Sequence, residues 1–260
     1  KAIFGYGYNA SGGGRLSMSN LVNSSGVVAA DVTGVGTARM TIAATSYGGD
    51  KAIFGYGDSG SATNLSNLVS SSGVIASDTT GVGTARYAPA AASYDGDKGI
   101  FGYGDTGGDS YVSLTNLVNN FGVIATDTTG VGTARRYLAA TGYGSSGQAV
   151  FAYGSTGSRL SMKNLVSNSG VVASDATGVG SARNNLAAVK YGTDKAIFGY
   201  GSTGSITGVT NLVSNVGVIA SDVSGVGTAR QYLAAASYGG DKALFGYGNT
   251  ASGAVSMTNL

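Results

Sequence analysis

The chain has 260 residues, of which 46 are glycine and one is proline, and it contains no Cys, His or Trp. Fifteen basic residues against 13 acidic ones, all of them aspartate, give a net charge of +2. This composition excludes disulfides, thiolate or imidazole metal sites and nucleophile systems that need histidine. It contains no basic run and no apolar stretch of 18 residues, so neither nucleic acid nor a membrane span is expected.

The first 50 residues predict four short strands separated by turns rich in Gly, Asn and Ser. In chain order these strands are Ala2–Tyr6, Leu16–Asn23, Gly26–Val32 and Met40–Tyr47. The first strand is apolar and aromatic, and the last is built of small residues. No segment holds a helical period, so the sequence predicts an all-β fold.

The opening heptad Lys-Ala-Ile-Phe-Gly-Tyr-Gly returns throughout the chain in close variants. It divides the sequence into repeats 1–50, 51–97, 98–147, 148–194 and 195–241, followed by a partial repeat 242–260. Four strands in a repeat of about 47–50 residues are typical of a β-propeller blade, since a single small sheet cannot bury both of its faces. We therefore expect one β-propeller domain over residues 1–260, with the small-residue strands innermost.

Three polar residues recur at fixed spacing, with 11 residues from Asn to Asp and eight from Asp to Arg. The sets are Asn20, Asn67, Asn116, Asn164 and Asn211; Asp31, Asp78, Asp127, Asp175 and Asp222; and Arg39, Arg86, Arg135, Arg183 and Arg230. Two interpretations stay open: bridges that tie adjacent blades, or a ring of five arginines that binds an anion at a channel mouth. One aspartate per blade does not provide a carboxylate pair, so we expect no enzyme, metal or cofactor.

The stretch Thr-Ala-Arg-Gln-Tyr-Leu-Ala-Ala-Ala-Ser-Tyr-Gly-Gly-Asp-Lys-Ala-Leu-Phe-Gly-Tyr-Gly at 228–248 resembles a Kelch repeat. The resemblance lies in an arginine that leads into an inner strand ending in paired glycines, and it covers every repeat. It implies a propeller of four-stranded blades, although the family's Trp on the outermost strand is missing. A less close similarity is to repeats of the regulator-of-chromosome-condensation type. The near-identity of the copies is similar to repeat arrays in predicted structural proteins of marine phages.

The number of blades is predicted as five, with six as the alternative. Five arginine-led inner strands favour five blades, and the strand at 26–32 then completes the blade that begins at 230. In that arrangement 1–24 or 242–260 is surplus, and its exposed edge predicts self-association or a chain cut from a longer array. Six blades use every strand but leave two blades with three strands each.

The loop between Phe-Gly-Tyr-Gly and Asn-Leu varies most in length and composition, which is typical of a binding surface on a constant scaffold. The candidate binding residues are Tyr8, Asn9, Arg15, Asp58, Asp105, Asp109, Tyr111 and Arg159. The sequence thus favours a non-catalytic interaction module that binds a glycan or a protein surface on a viral or cell-surface fibre, and hence an extracellular or virion-associated location. The alternative is a purely architectural protein that assembles by strand exchange.

Overall fold

The computed structural model describes residues 1–9 and 12–260, and over these ranges the fold is all-β, as predicted. The strands described are β1 Ala2–Asn9, β2 Gly14–Val22, β3 Ala43–Tyr47, β4 Lys51–Gly55, β5 Ser66–Val69, β6 Ala90–Tyr94, β7 Lys98–Gly102, β8 Thr115–Val118, β9 Ala139–Tyr143, β10 Gln148–Ala152, β11 Lys163–Val166, β12 Ala187–Tyr191, β13 Lys195–Gly199, β14 Thr210–Val213, β15 Ala234–Tyr238, β16 Lys242–Gly246, β17 Asn249–Thr250, β18 Gly253–Ala254 and β19 Thr258–Asn259. In the ranges described, no helix is long and apolar enough to cross a membrane.

Small antiparallel sheets repeat along the chain, and each three-stranded sheet joins the last strand of one repeat to strands of the next. Five sheets have three strands, in the orders β3-β4-β5, β6-β7-β8, β9-β10-β11, β12-β13-β14 and β15-β16-β19, and β1 pairs with β2 in a sheet of two. A short hairpin, β17-β18, interrupts the last sheet. The strand register is the same in successive sheets: Phe54 lies between Ala44 and Asn67, and Phe101 lies between Ala91 and Asn116.

The predicted third strand of each repeat is not a regular strand. Residues 26–32 reach β2 only through the isolated bridges Ser19↔Val32 and Val22↔Val28, and the later repeats have equivalent pairs of bridges. The Asn20 amide explains the interruption, because its Nδ2 donates to the Ala29 carbonyl and takes the place of a ladder bond. The inner strand is also shorter than predicted, since β3 begins at Ala43 and not at Met40.

Neighbouring sheets pack face to face in chain order. The small-residue strands touch in succession, β3 with β6, β6 with β9, β9 with β12 and β12 with β15, and β1 contacts β15. Aromatic rings fill the space between sheets: Tyr56 meets Phe101 edge-on, with 5.1 Å between centroids. A Cβ at Gly55 would lie 2.8 Å from Cζ of Phe101, so glycine allows this close approach. In the fourth repeat, Ala152 occupies the corresponding position.

Both terminal segments are built into sheets. Residues 26–32 bridge to β2 of their own repeat and not to the sheet that begins with β15. The first sheet packs between two others, since Tyr6 contacts Phe54 and Phe4 contacts Tyr247. The pairing of 26–32 with the blade that begins at 230, expected for a five-bladed closure, is therefore wrong.

We predict that Phe101→Ala lowers the free energy of unfolding by about 3–5 kcal/mol, because it removes a fully buried ring and leaves a cavity between two sheets. Phe121→Ala is the matched control, since Phe121 is 76% exposed in a turn, and it changes stability by less than about 0.5 kcal/mol. Urea unfolding of both variants measures the difference. Equal losses would contradict the placement of these rings.

Candidate functional site

The recurring arginines lie inside the molecule, and their side chains have no exposed surface. Each guanidinium stacks on a tyrosine of the preceding sheet, as in Arg86, whose Cζ lies 4.0 Å from the centroid of the Tyr56 ring. The tyrosine hydroxyl donates to a nearby backbone carbonyl, that of Val82 in this example. A cation over an aromatic face is attractive, and the attraction grows when water is excluded. Burial of these arginines therefore does not leave their charge uncompensated.

The same guanidinium reaches the next sheet. Nη2 of Arg86 donates to Oδ1 of Asn116 over 2.6 Å, and Nδ2 of Asn116 donates to Oδ1 of Asp127 over 2.9 Å. The Asp127 carboxylate accepts two further bonds from the backbone N–H and the hydroxyl of Thr84, at 2.9 and 2.6 Å. A chain of polar contacts thus links one repeat to the following one.

We call this arrangement the interface network; it comprises a tyrosine, a Thr or Ser and an arginine from one repeat, and an asparagine and an aspartate from the next. Besides the example above, it recurs as Tyr6, Thr37, Arg39, Asn67 and Asp78; Tyr103, Thr133, Arg135, Asn164 and Asp175; and Tyr153, Ser181, Arg183, Asn211 and Asp222. At the fifth arginine, Arg230 stacks on Tyr200, and its Nη2 donates to the Phe245 carbonyl.

These contacts distinguish the two interpretations of the recurring residues. The ionic partner of Arg86 is Asp127 of the following repeat, with 3.9 Å between Nη1 and Oδ1, and not Asp78, eight residues before it. The geometry is that of a bridge between sheets. A guanidinium without exposed surface is also unavailable to an anion at a channel mouth. In the first repeat, Asp31 accepts a hydrogen bond from Asn20 and, in the part of the chain that the structure describes, has no arginine partner.

The interface network shifts the titration of its members. Burial raises the pKa of Tyr56 to about 12, although the Arg86 charge opposes this. Burial lowers the pKa of Arg86, with Tyr56 and Asp127 acting in the opposite direction. For Asp127, burial alone would raise the pKa, but hydrogen bonds from Thr84 and Asn116 outweigh it and hold the pKa below its usual value. The pKa values of Asp78, Asp175 and Asp222 are lowered in the same way.

The variable loops gather at one end of the sheets. We call this end the loop face; it consists of 6–9, 12–16, 56–65, 103–114, 153–162 and 200–209 together with the two residues that follow each recurring arginine. Isolated bridges join the two parts, as in Tyr87↔Asp105. Other bridges pair residues within one loop, as in Asp105↔Tyr111. The turns after β3 and β5 lie at the opposite end, where Gly122 contacts Tyr47.

The second residue after each arginine is a part of this face that the sequence analysis missed. It has a left-handed backbone in every repeat, with φ of 50–56°, and the residues are Thr41, Ala88, Tyr137, Asn185 and Tyr232. The backbone N–H of each donates to the carbonyl of the one before it, so these residues form a continuous row across the repeats. The signal in the sequence was the change of residue type immediately after a constant arginine.

The loop candidates of the third repeat form one cluster around Arg136. Its Nη1 donates to the buried Asp105 over 2.6 Å, and its Nη2 lies 2.8 Å from Oδ1 of Asp109. The guanidinium lies 5.1 Å from the ring centroids of both Tyr111 and Tyr137. Asp105, Asp109 and Tyr111 are therefore brought together, around a residue that the sequence analysis did not single out.

Arg15 and Arg159 occupy equivalent places with different surroundings. Arg15 pairs with Asp58 of the next repeat over 3.0 Å, whereas the residue equivalent to Asp58 is Ser202 for Arg159. Among the residues that the structure describes, Arg159 forms no salt bridge and is exposed. Each lines an open cleft, of about 450 Å³ beside Arg159 and about 400 Å³ beside Arg15.

Tyr8 and Asn9 lie at the end of β1, apart from the Arg136 cluster. Tyr8 pairs in register with Arg15 and Asn9 with Gly14, and the Tyr8 side chain is 57% exposed. The candidate loop residues thus form separate groups along the loop face. No single pocket contains all of them.

Comparison with protein-family models finds no matching family, and comparison with curated proteins finds no matching sequence.

We predict that Asp78→Asn lowers the free energy of unfolding by about 1–2 kcal/mol, because it weakens charge-assisted bonds from Thr37 in a partly solvated site. Asp31→Asn is the matched control. Among the described residues, Asp31 accepts a hydrogen bond only from Asn20. The free energy of unfolding of its variant therefore stays within about 0.5 kcal/mol of the parent. Denaturant unfolding of the two variants compares them, and a larger loss for Asp31→Asn would contradict the network.

We also predict that stability falls in acid. The folded-state pKa values of Asp78, Asp127, Asp175 and Asp222 are lowered, so their contribution is complete above the ordinary aspartate pKa of about 4 and is lost as pH falls through the lower folded values. The chain has no histidine, and we expect urea midpoints to change little between pH 5 and 7. A midpoint that stays constant from pH 5 to pH 2 would be inconsistent with bonded carboxylates.

Proposed function

We propose that residues 1–260 form one domain, a closed ring of six sheets of the β-propeller type. The support for six is a series of six edge-on contacts between a tyrosine of one sheet and a phenylalanine of the next. The pairs are Tyr6–Phe54, Tyr56–Phe101, Tyr103–Phe151, Tyr153–Phe198, Tyr200–Phe245 and Tyr247–Phe4. The last pair returns to the first sheet, which gives six blades in place of the five that the arginine count favoured.

In this proposal the bridged outer segment of a repeat acts as the fourth strand of its blade. In each of the first five repeats, the segment equivalent to 26–32 lies beside the strand equivalent to β2, namely β2, β5, β8, β11 or β14. The first blade then consists of β1, β2 and its outer segment, and the last consists of β15, β16 and β19. The order of strands within a blade and the arginine before the inner strand agree with the Kelch resemblance.

We propose that the ring is a non-catalytic interaction module that binds glycans through the loop face. The observation that carries this proposal is the contrast between a constant scaffold and one variable face. The interface network keeps the same residue types in successive repeats, whereas the row of left-handed residues changes from Thr to Ala, Tyr, Asn and Tyr. Left-handed backbone at non-glycine residues costs about 1–3 kcal/mol each and is often retained at binding sites.

The chemistry of the loop face suits sugar hydroxyl groups. Tyr137 and Tyr232 meet edge-on at 6.1 Å, and Tyr232 is 53% exposed, so a ring face is available for stacking. Asn185 lies between them in the row, with an amide that both donates and accepts hydrogen bonds. The clefts beside Arg15 and Arg159 are open. We therefore expect weak individual sites whose effect grows when copies are displayed together, as on a viral or cell-surface fibre.

A second candidate function is a purely architectural role through strand exchange between chains. The observation in its favour is an edge of β1: over Ala2–Gly5, and among the residues that the structure describes, β1 pairs with β2 on one side only, whereas β4, β7, β10, β13 and β16 pair on both sides. An unpaired edge is a template for another chain. In this candidate, the partner is a protein strand and not a sugar.

Glycan array binding with the full chain tests the first candidate. We predict binding to a defined subset of glycans, and a loss of about tenfold in Tyr232→Ala, because a stacked ring contributes roughly 1–3 kcal/mol. Arg159→Gln is expected to weaken binding of carboxylated glycans more than Arg15→Gln, since Asp58 already pairs with Arg15.

The control is Phe121→Ala, which removes an exposed ring at the opposite end and is expected to leave the array pattern unchanged. Binding to no glycan, together with multimers that grow with protein concentration, would overturn the glycan proposal in favour of the architectural one. Binding that survives Tyr232→Ala but not Phe121→Ala would place the site on the wrong end.

A further inference from the structure

At each of its copies, the interface network holds one short segment of the chain between two sheets. In every repeat the segment has the form Gly-Val-Gly-Thr/Ser-Ala-Arg, followed by a strand of small residues. Its valine carbonyl accepts a bond from the tyrosine hydroxyl, as Val82 does from Tyr56. In the first four repeats its Thr or Ser binds the aspartate of the next repeat. In all five its arginine stacks on the tyrosine. Each contact is made by a different atom of the segment, so recognition depends on sequence.

The contact between the last and the first sheets contains the receiving half of this network. Tyr247 lies against Phe4 with 5.3 Å between ring centroids, as the other five tyrosines lie against theirs. Asn20 and Asp31 have the usual arrangement, with Nδ2 of Asn20 2.8 Å from Oδ1 of Asp31. Asn20 pairs in register with Phe4, so the ring that Tyr247 contacts and the Asn20–Asp31 pair lie at one interface. Burial raises the pKa of Tyr247, and the Asp31 carboxylate raises it further.

The donating half is absent from this interface, because the sequence contains five Thr/Ser-Ala-Arg segments and all five lie elsewhere. Asn20 is 8% exposed, and in the ranges described its Oδ1 accepts no bond, whereas Oδ1 of Asn116 accepts one from Arg86. Tyr247 is partly exposed, whereas the five stacked tyrosines are at most 9% exposed. The three groups that hold the segment elsewhere are thus assembled without its arginine.

The edge of β1 that faces away from β2, over Ala2–Gly5, extends this site. At the other sheets, the strand that follows the arginine pairs antiparallel with the apolar strand, as Tyr47 pairs with Lys51 and Ala43 with Gly55. Residues 1–5 have the same sequence as β4, Lys-Ala-Ile-Phe-Gly, and within the described ranges Ala2–Gly5 of β1 pair with β2 alone. A segment held by Tyr247, Asn20 and Asp31 would lead directly onto this edge.

We propose that the interface between the last and first sheets binds a polypeptide segment of the form Gly-Val-Gly-Thr-Ala-Arg followed by a strand of small residues. The occupant is identified by the internal copies of the same interface. The arginine stacks on Tyr247 and donates to Asn20, the threonine binds Asp31, and the small residues pair with β1. The inference rests on the proposed six-sheet ring and is independent of any glycan.

The test uses the full chain and a synthetic peptide with the sequence of residues 225–238, Gly-Val-Gly-Thr-Ala-Arg-Gln-Tyr-Leu-Ala-Ala-Ala-Ser-Tyr. We expect saturable 1:1 binding by calorimetry and a change in the side-chain amide resonances of Asn20. The same peptide with Gln in place of Arg is expected to bind at least tenfold more weakly. Any oligomers of the chain held by this site would dissociate when the peptide is added.

Matched variants locate the site. Asp31→Asn is expected to weaken peptide binding about tenfold, whereas Asp78→Asn, which alters an interface that already has its arginine, leaves it unchanged. Equal affinity for the Arg and Gln peptides, or equal effects of the two variants, would overturn the proposal. A chain that binds this peptide but no glycan keeps the inference and removes the proposed function, and the opposite pair of results does the reverse.

Discussion

A fully buried guanidinium between two β-sheets is the interaction on which the rest of this structure depends. Burial of a charge is costly unless it is paired and hydrogen-bonded. Here, a tyrosine ring covers one face of the guanidinium, as Tyr56 does for Arg86. An asparagine of the next repeat accepts a hydrogen bond from the guanidinium, as Asn116 does from Arg86. Removal of one partner from such a group typically costs about 3–5 kcal/mol. Each sheet therefore contributes to the stability of its neighbour.

Compensation of the charge is not uniform. The Nε atom of Arg135 donates a hydrogen bond to the Tyr153 carbonyl. Among the residues that the structure describes, the Nε atoms of Arg39, Arg86, Arg183 and Arg230 have no hydrogen-bond acceptor. A buried N–H without an acceptor costs about 1–3 kcal/mol. The repeats are thus alike in sequence but unequal in energy, and the contact made by Arg135 is the most completely satisfied. Stability in such an array is close to a sum of neighbour terms, so these differences bear on which interface opens first.

The sequence was sufficient for the all-β class, the repeat and the polar residues of the site, because each depends on local pattern. It was not sufficient for the third strand predicted at 26–32, which forms only isolated bridges. Fixed spacing of Asn, Asp and Arg correctly indicated a repeated environment. It did not reveal the partners, since Asp78 meets Thr37 and Arg86 meets Asp127, each 41 residues away along the chain. Those contacts follow from packing between sheets, which a spacing of eight within one repeat does not encode. The five recurring arginines likewise number one fewer than the six Tyr–Phe contacts between sheets, because none of them stacks on Tyr247.

The loop face shows the same division between local and long-range information. Variation in length identified the loops, but the row that contains Tyr137 and Tyr232 depends on backbone geometry that only the folded chain has. Arg136 follows the recurring Arg135 directly, and no pattern in the sequence distinguishes it as a site residue. Its contacts with Asp105 and Asp109 join loop residues that were singled out separately.

A double-mutant cycle between Arg86 and Asn116 tests the central claim most directly, with the changes Arg86→Met and Asn116→Ala measured singly and together. The account predicts a coupling free energy of about 0.5–3 kcal/mol, because the two residues share one buried hydrogen bond. The comparison cycle pairs Arg86→Met with Asn67→Ala, whose partner is Arg39, and it is expected to be additive within about 0.5 kcal/mol. Additivity in the first cycle would contradict the claim that buried guanidinium groups hold neighbouring sheets together.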